Sequence, residues 1–350
     1  MRRTPRWTIV LLAILLLAGA GSILALIPTQ YVALEPHHPI NLAGRVRINS
    51  KPAVPLHGQL YFVGVEQRRV SLLQKWLVRL DPAVSLELSP QTMSEHHEQQ
   101  IDRLAIESSK DVAAAVAFDL LGTPARITGS GALVTGVDPK GPAHTVLRRG
   151  DYIMGVGDST VHTSVDVAAA VAAVAPGTKL RFRIRRHHRI QNVTIATAAP
   201  PHPDATHRSR IGIGLNTPDL KIHLPKSVTI RTGAVGGPSA GLPFSLGIFD
   251  AESPIDLMRG RYIVATGALT LEGQVLPIGG VRQKAISAQN QGVHIMLVPT
   301  ANAADAVRAI SDVCRHHTAC VSVLPVATVA DAVKYLQLPD SELASKFAKP

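Results

Sequence analysis

The stretch GAVGGPSAGLPFSLGIFD, from Gly233 to Asp250, decides how the rest of the chain is read. At its centre Ser239 stands between Pro238 and Ala240, with Gly236, Gly237 and Gly241 close by. Glycine permits a sharp turn, and small residues on both sides of a hydroxyl let a substrate backbone approach. The apolar residues that follow (Leu242, Phe244, Leu246, Ile248 and Phe249) are enough for a buried helix. A serine where a glycine-rich turn enters a helix is well placed as a nucleophile, because helix N-terminal amides favour nearby negative charge.

A nucleophilic serine needs a base. The segment TGALTLEGQVLPIGGVRQKAISAQNQG reads as strand, turn, strand, a Gly-Gly turn and then a short helix from about Val281, with Gly292 just past its end. Val281, Lys284, Ala285 and Ala288 share one helical face, so Lys284 sits in an otherwise apolar stripe. Loss of solvation lowers a lysine's pKa and makes it a general base near neutral pH. A snorkelling lysine, with its stem on the core and its head in water, fits the same spacing. On spacing alone both readings stand.

GGPSAG followed by TGALTLEGQVLPIGGVRQKAISAQNQGV and VPTAN resembles the proteolytic domain of the Lon family. In that family a serine in the G-P-S-A-G turn and a lysine in the helix after P-I-G-G form a dyad. The resemblance implies Ser239 and Lys284 as the catalytic pair, with Thr266 of V-A-T-G and Gly237 supporting them. Ile222 to Pro225 (IHLP) resembles the strand that leads to the serine. A Ser–His–Asp triad using His223 and Asp250 competes on residue type, but the matching family uses lysine as base.

The chain has 350 residues, 46% hydrophobic but only 4% aromatic, so cores are expected from Val, Ile, Leu and Ala. MRRTPR is basic, and Trp7 to Ile27 is an uncharged apolar run long enough to cross a bilayer. Because the run continues past Ala18, Ala20 and Ser22, it reads as an uncleaved signal anchor rather than a cleaved leader. The arginines before it put residues 1–6 in the cytoplasm and the body outside. Prolines and weak periodicity make residues 28–55 a stalk. Gly58 to Val65 and Arg69 to Leu73 read as two strands around a turn. Ser89 and Pro90 cap a long helix to Leu121, with Ile101, Leu104, Ala105, Ser108, Val112 and Ala115 as its packing face.

From Arg126 to Thr197, GALVTGV, GPAHTVLRRGDYIMGVGD, an alanine-rich helix (Val165 to Val174) and KLRFRIRR resemble a bacterial protease-type PDZ domain. That resemblance implies capture of extended peptides, with Gly131, Ala132, Leu133 and Val134 as loop and edge strand. Ala199 to His207 reads as a linker. Strands from Ile211 to Leu215 and from Ser227 to Thr232 are expected to bring the chain to the serine turn.

After Lys284, His294 to Pro299 reads as a buried strand. Asn302 then caps a helix to Cys314, and a last helix runs from Thr328 to Leu336. Cys314 and Cys320 flank R-H-H-T-A, which admits a metal, although two cysteines in an exported domain more often pair as a disulfide. No metal site is expected. The net charge of +11 is concentrated between Arg126 and Arg189, where ten Lys/Arg face four Asp/Glu. Outside the membrane such a face suits anionic headgroups or acidic peptides, and no nucleic-acid role is expected. No G-x-x-x-x-G-K-[ST] occurs, so no ATPase and no cofactor is implied.

The expected architecture is α+β. One N-terminal transmembrane helix (7–27) precedes the N-terminal part of a protease domain (56–122), an inserted PDZ domain (123–198) and a Lon-type proteolytic domain (207–338). The order resembles membrane-anchored Lon-like proteins of bacteria. It implies an ATP-independent serine endopeptidase at the cell membrane that acts on protein or peptide substrates. Ring assembly is implied only by the resemblance. The competing class is a PDZ adaptor with a silent protease domain.

Overall fold

The computed structural model describes residues 6–52, 57–88, 95–199, 209–314 and 319–348. Two compact units emerge: Met1–Ala117 with Ser227–Pro350, and Phe118–Lys226. In chain order the first unit opens with α1 (Arg6–Leu26), β1 (Pro28–Pro36), β2 (Ile40–Asn41), β3 (Val46–Ile48), β4 (Lys51–Pro52), β5 (Gln59–Phe62) and β6 (Val65–Ser71). It continues through α2 (Leu72–Leu77), β7 (Ser85–Leu88) and α3 (Glu95–Leu120), which runs into the second unit.

The second unit holds β8 (Arg126–Thr128), β9 (Ala132–Val137), β10 (Tyr152–Val156), β11 (Ser159–Thr160) and α4 (Ser164–Ala172). Then come β12 (Lys179–Arg186), β13 (Arg189–Ala196), β14 (Ile213–Asn216) and β15 (Lys221–His223). The first unit resumes with β16 (Val228–Ile230), α5 (Gly241–Glu252), β17 (Tyr262–Ala265), β18 (Ala268–Leu269), β19 (Val275–Leu276) and α6 (Val281–Gln291). β20 (Ile295–Pro299), α7 (Ala303–Cys314), β21 (Ser322–Val326), α8 (Val329–Leu336) and α9 (Asp340–Leu343) complete it.

The first unit is built on the sheet β2-β5-β17-β20-β21, in which β5, β17, β20 and β21 run parallel. β20 is buried at every position, as a parallel strand covered on both faces must be. Val264, Met296 and Val298 share one core with Ala285 of α6 and Ala306 and Ile310 of α7. Phe62 of β5 meets Phe244 of α5 edge to face, with centroids 5.4 Å apart. Smaller sheets, β6-β1-β7 and β16-β3-β4, use the N-terminal segment.

Several expectations change here. The stalk expected over residues 28–55 is instead structure: β1 pairs with β6 and β7, and β3 pairs with β16. The prolines that obscured β1, Pro28 and Pro36, stand at its two ends, where a strand tolerates them. Residues 53–56 lie outside the described residues. β5 and β6 do not form a hairpin, because they belong to different sheets. The caps Ser89 and Pro90 lie outside the described residues. In α3 the expected Ile101, Leu104 and Ser108 are exposed while Ala115 is buried as expected; Ile106 and Ser109 are buried, and from Ala113 to Phe118 every residue is buried. Helical periodicity alone did not show that the end of α3 is surrounded on all sides.

The apolar N-terminal run forms α1. Several of its side chains lie outside the described residues, and among those described no helix is long and apolar enough to cross a membrane. The expected span therefore does not stand as a structural finding.

The second unit is a sheet of order β13-β12-β10-β9-β14 with β11 on β10, packed against α4, plus the pair β15-β8. Its strand β14 is the segment expected to lead to the serine. It pairs instead with β9, from Ile213 opposite Val137 to Asn216 opposite Leu133. The IHLP strand likewise pairs with β8 inside this unit. Residues 200–208, most of the expected linker, lie outside the described residues. His187 and His188 take positive φ in the β12–β13 turn.

Asp250, near the end of α5, is 3% exposed; Oδ1 accepts from the Leu257 amide at 2.9 Å, while Oδ2 meets no donor at full hydrogen-bond geometry among the described residues. Burial raises its pKa from 3.8 to about 6. Between those values the folded chain holds a proton that the unfolded chain has lost, so rising pH costs stability across that window. Asp250→Asn removes the cost. In calorimetry, the melting-temperature advantage of the Asn variant should grow from about pH 4 to above pH 6 and then level off.

Candidate active site

Gly237 has φ +83°, a conformation that disfavours any side chain, and its amide donates to the Asp102 carbonyl of α3 at 2.9 Å. Ser109, one helical stretch further along α3, donates to the Pro238 carbonyl at 3.1 Å. Pro238, Ser239 and Ala240 then form a single 3-10 turn that opens into α5. Two hydrogen bonds from one helix thus fix the turn on either side of the half-buried Ser239.

Lys284 arrives from the opposite side. Gly280, at φ +63°, turns the chain into α6, and a Cβ there would lie 2.6 Å from Val65 Cγ2. The turn before it is clamped by Asn302, whose Oδ1 accepts from the Ile278 amide (2.9 Å) and whose Nδ2 donates to the Ile278 carbonyl (3.1 Å). Asn302 is therefore not the cap of α7 that its spacing suggested. Gln283 Nε2 donates to Ser85 Oγ at 2.7 Å, and Gln289 bonds Ala319 O and Val321 N, so both halves of α6 are anchored.

Lys284 is 3% exposed, which removes the snorkelling reading. Its Nζ lies 2.7 Å from Ser239 Oγ and 3.3 Å from Thr266 Oγ1. Thr266 is fully buried and its hydroxyl also donates to the Ser239 carbonyl at 3.2 Å. The Gly267 amide donates to the same carbonyl at 2.7 Å. Desolvation lowers the Lys284 pKa from 10.5 to about 8. With no carboxylate among the described residues to hold the proton, the amine is available in its neutral form near neutral pH.

The pair opens onto a cleft of about 1000 Å³ lined by Gly64–Arg69 of β6 and its approach, by Gly236–Ser239 and by Gly279 and Gly280. His223 belongs to the other unit and Asp250 bonds the Leu257 amide, so lysine, not histidine, meets the serine. Cys314 and Cys320 are joined in a disulfide rather than held for a metal.

The expected peptide-binding residues fare differently. Gly131 donates to His162 O, Val134 exchanges bonds with Asp151 and Gly150, and Ala132 and Leu133 pair with Ile153 and Tyr152. β9 lies between β10 and β14, so it is not an edge strand and cannot accept an added one. Among the described residues the sheet ends at β14. Ser209 Oγ donates to Val171 O at 2.6 Å and the Ser164 amide donates to Thr217 Oγ1 at 2.9 Å. The segment carrying β14 is thus tied to both ends of α4.

Ser109 escaped the sequence reading because its partner lies far away in the chain, and Asp102 acts through its backbone carbonyl, which no side chain announces.

A hydroxyl set against a buried, partly deprotonated amine is the equipment of a serine hydrolase that uses lysine as base. Residues 207–337 match the Lon protease (S16) C-terminal proteolytic domain, and residues 100–197 match the PDZ domain. The chain thus carries a region similar to each of these two domains. Among curated relatives, Lon protease of Roseiflexus castenholzii is 32% identical over 174 residues, 48% of this chain and 20% of that protein. Lon protease 1 of Thermus thermophilus is 38% identical over 87 residues, 25% of this chain and 10% of that protein. The chain therefore spans a fifth or less of these relatives. A solved PDZ domain of an SdrC-like protein from Listeria monocytogenes is 22% identical, with TM-score 0.23, covering 26% of this chain and 92% of that one.

Thr266→Val keeps the shape of the side chain but removes both of its hydrogen bonds. Turnover of a peptide substrate should fall roughly 10- to 100-fold with KM little changed, and Thr266→Ser should restore it. Loss confined to KM would show that Thr266 does not position the lysine.

Proposed function

We propose that the protein is a serine endopeptidase in which Ser239 is the nucleophile and Lys284 the general base. The observation that carries this reading is the 2.7 Å contact between Ser239 Oγ and the buried Lys284 Nζ. Neutral Lys284 takes the hydroxyl proton as Oγ attacks the scissile carbonyl, then delivers it to the departing amine. Water, deprotonated by the same amine, attacks the acyl-enzyme and returns Ser239. Pro238 has no N–H and the Gly237 amide is spent on Asp102, so neither donates to the oxyanion.

Cleavage proceeds without ATP hydrolysis by this chain, which has no phosphate-binding loop of its own. α1 anchors the protein in a membrane with its basic end in the cytoplasm, and the substrates are proteins outside it. The PDZ unit binds extended peptide by strand addition at β14, where the sheet ends beside α4.

Full-length protein in detergent, given casein, should generate fragments, and Ser239→Ala and Lys284→Ala should each abolish them while keeping the melting profile. Persistent cleavage by either variant would sink the dyad. If the wild-type chain is inert, failure of an acylating probe to label Ser239 would leave the adaptor reading.

Base catalysis by Lys284 also fixes the pH profile. The rate should climb about tenfold per pH unit below about 8 and level off above it, because only the neutral amine accepts the proton. A profile that instead turned near the histidine range would assign the base elsewhere.

A further inference from the structure

The short helix α2 and the 3-10 turn after it, Val78–Leu80, bury no residue at all. Trp76, Leu77 and Leu80 are 64%, 54% and 81% exposed. A short helix with no fully buried side chain is still well formed, because Ser71 and Gln74 make a complete capping box at its start. The apolar face it presents is therefore held in place.

Its position and charge indicate what covers it. The Leu72 amide donates to the Ile27 carbonyl at 2.9 Å, so α2 begins against the residue that follows α1. Between Leu72 and Leu80 there are two cations and no acid. Arg79 lies over the Trp76 ring at 5.1 Å and Lys75 over the Tyr31 ring at 3.6 Å. Tyr31 is paired in turn with Leu88, which is 67% exposed and extends the patch onto β7. The nearest acid in sequence, Asp81, turns its Oδ1 back to the Ala83 amide.

We propose that α2 and its following turn dock on the anionic headgroup surface of the bilayer, with Trp76, Leu77 and Leu80 at the acyl boundary and Lys75 and Arg79 among the phosphates. This rests on the reading of α1 as an anchor, which brings the patch to that surface. Tryptophan belongs at that depth because its ring is apolar and its N–H needs a partner, while lysine and arginine snorkel to the phosphates. A short basic apolar face beside an anchor binds by both area and charge.

The chain has only two tryptophans, Trp7 in α1 and Trp76 in α2, so each site can report alone. Full-length Trp7→Phe and Trp76→Phe proteins are reconstituted into phosphatidylcholine vesicles with or without phosphatidylglycerol, using brominated acyl chains as quencher. In the Trp7→Phe protein, Trp76 emission should shift to the blue and fall about twofold with brominated chains, more strongly with phosphatidylglycerol. Adding Lys75→Glu and Arg79→Glu should abolish the phosphatidylglycerol effect. Trp7 quenched with Trp76 unquenched would overturn the docking and leave the anchor standing. Neither quenched would overturn both. Trp76 blue-shifted but unquenched, and dependent on protein density, would assign the face to a second copy and overturn the proposal.

Discussion

Desolvation of one ammonium group is the constraint around which the catalytic unit is arranged. An amine in an apolar interior destabilises the fold while it is charged, and no carboxylate among the described residues relieves Lys284 of that cost. What the site gains is a base that is partly neutral at physiological pH, set 2.7 Å from a hydroxyl. The polar contacts offered to Nζ are the Ser239 and Thr266 hydroxyls, which accept a hydrogen bond without fixing the positive charge. A carboxylate in either place would hold the proton and silence the base.

Such a site tolerates little drift, and its supports come from distant parts of the chain. α3 holds the serine turn through Asp102 and Ser109, while Asn302 clamps the turn that opens α6. β17 ends where Thr266 and Gly267 meet the Ser239 carbonyl, so one backbone atom joins the sheet to the nucleophile. Each of these is a side chain or amide acting on a carbonyl or amide of another element. Rigidity at the dyad is thus a property of the whole unit rather than of the two residues.

The pairing of Ser239 with Lys284 was legible in the resemblance of G-P-S-A-G and of the helix after P-I-G-G to the Lon motifs, more than in the local pattern. The distinction between a buried and a snorkelling Lys284 was not, since both have the same spacing. Asn302 illustrates a different limit, because its sequence position fits a helix cap equally well and only the fold shows Ile278 beside it. In α3 Ser109 faces inward because Pro238, far along the chain, lies beside it, a partner no local periodicity could name. β14 misled for a similar reason. A short apolar strand carries no label saying which sheet it joins, and β9 claims it before the serine turn is reached.

The discontinuity of the catalytic unit also bears on how the protein comes to exist. β3 must find β16, and β5 must find β17, across the whole of residues 118–226. At ordinary synthesis rates of 5–20 residues per second, the first strands wait roughly 10 to 40 seconds for their partners. The intervening unit is contiguous and finishes first. When β15 closes on β8, its two chain ends are drawn together, and a long flexible loop becomes a short one. The entropy of bringing β3 to β16 is then already spent. The inserted unit is in this sense a folding clasp: without the β8–β15 pairing, the early apolar strands would remain open to aggregation for longer.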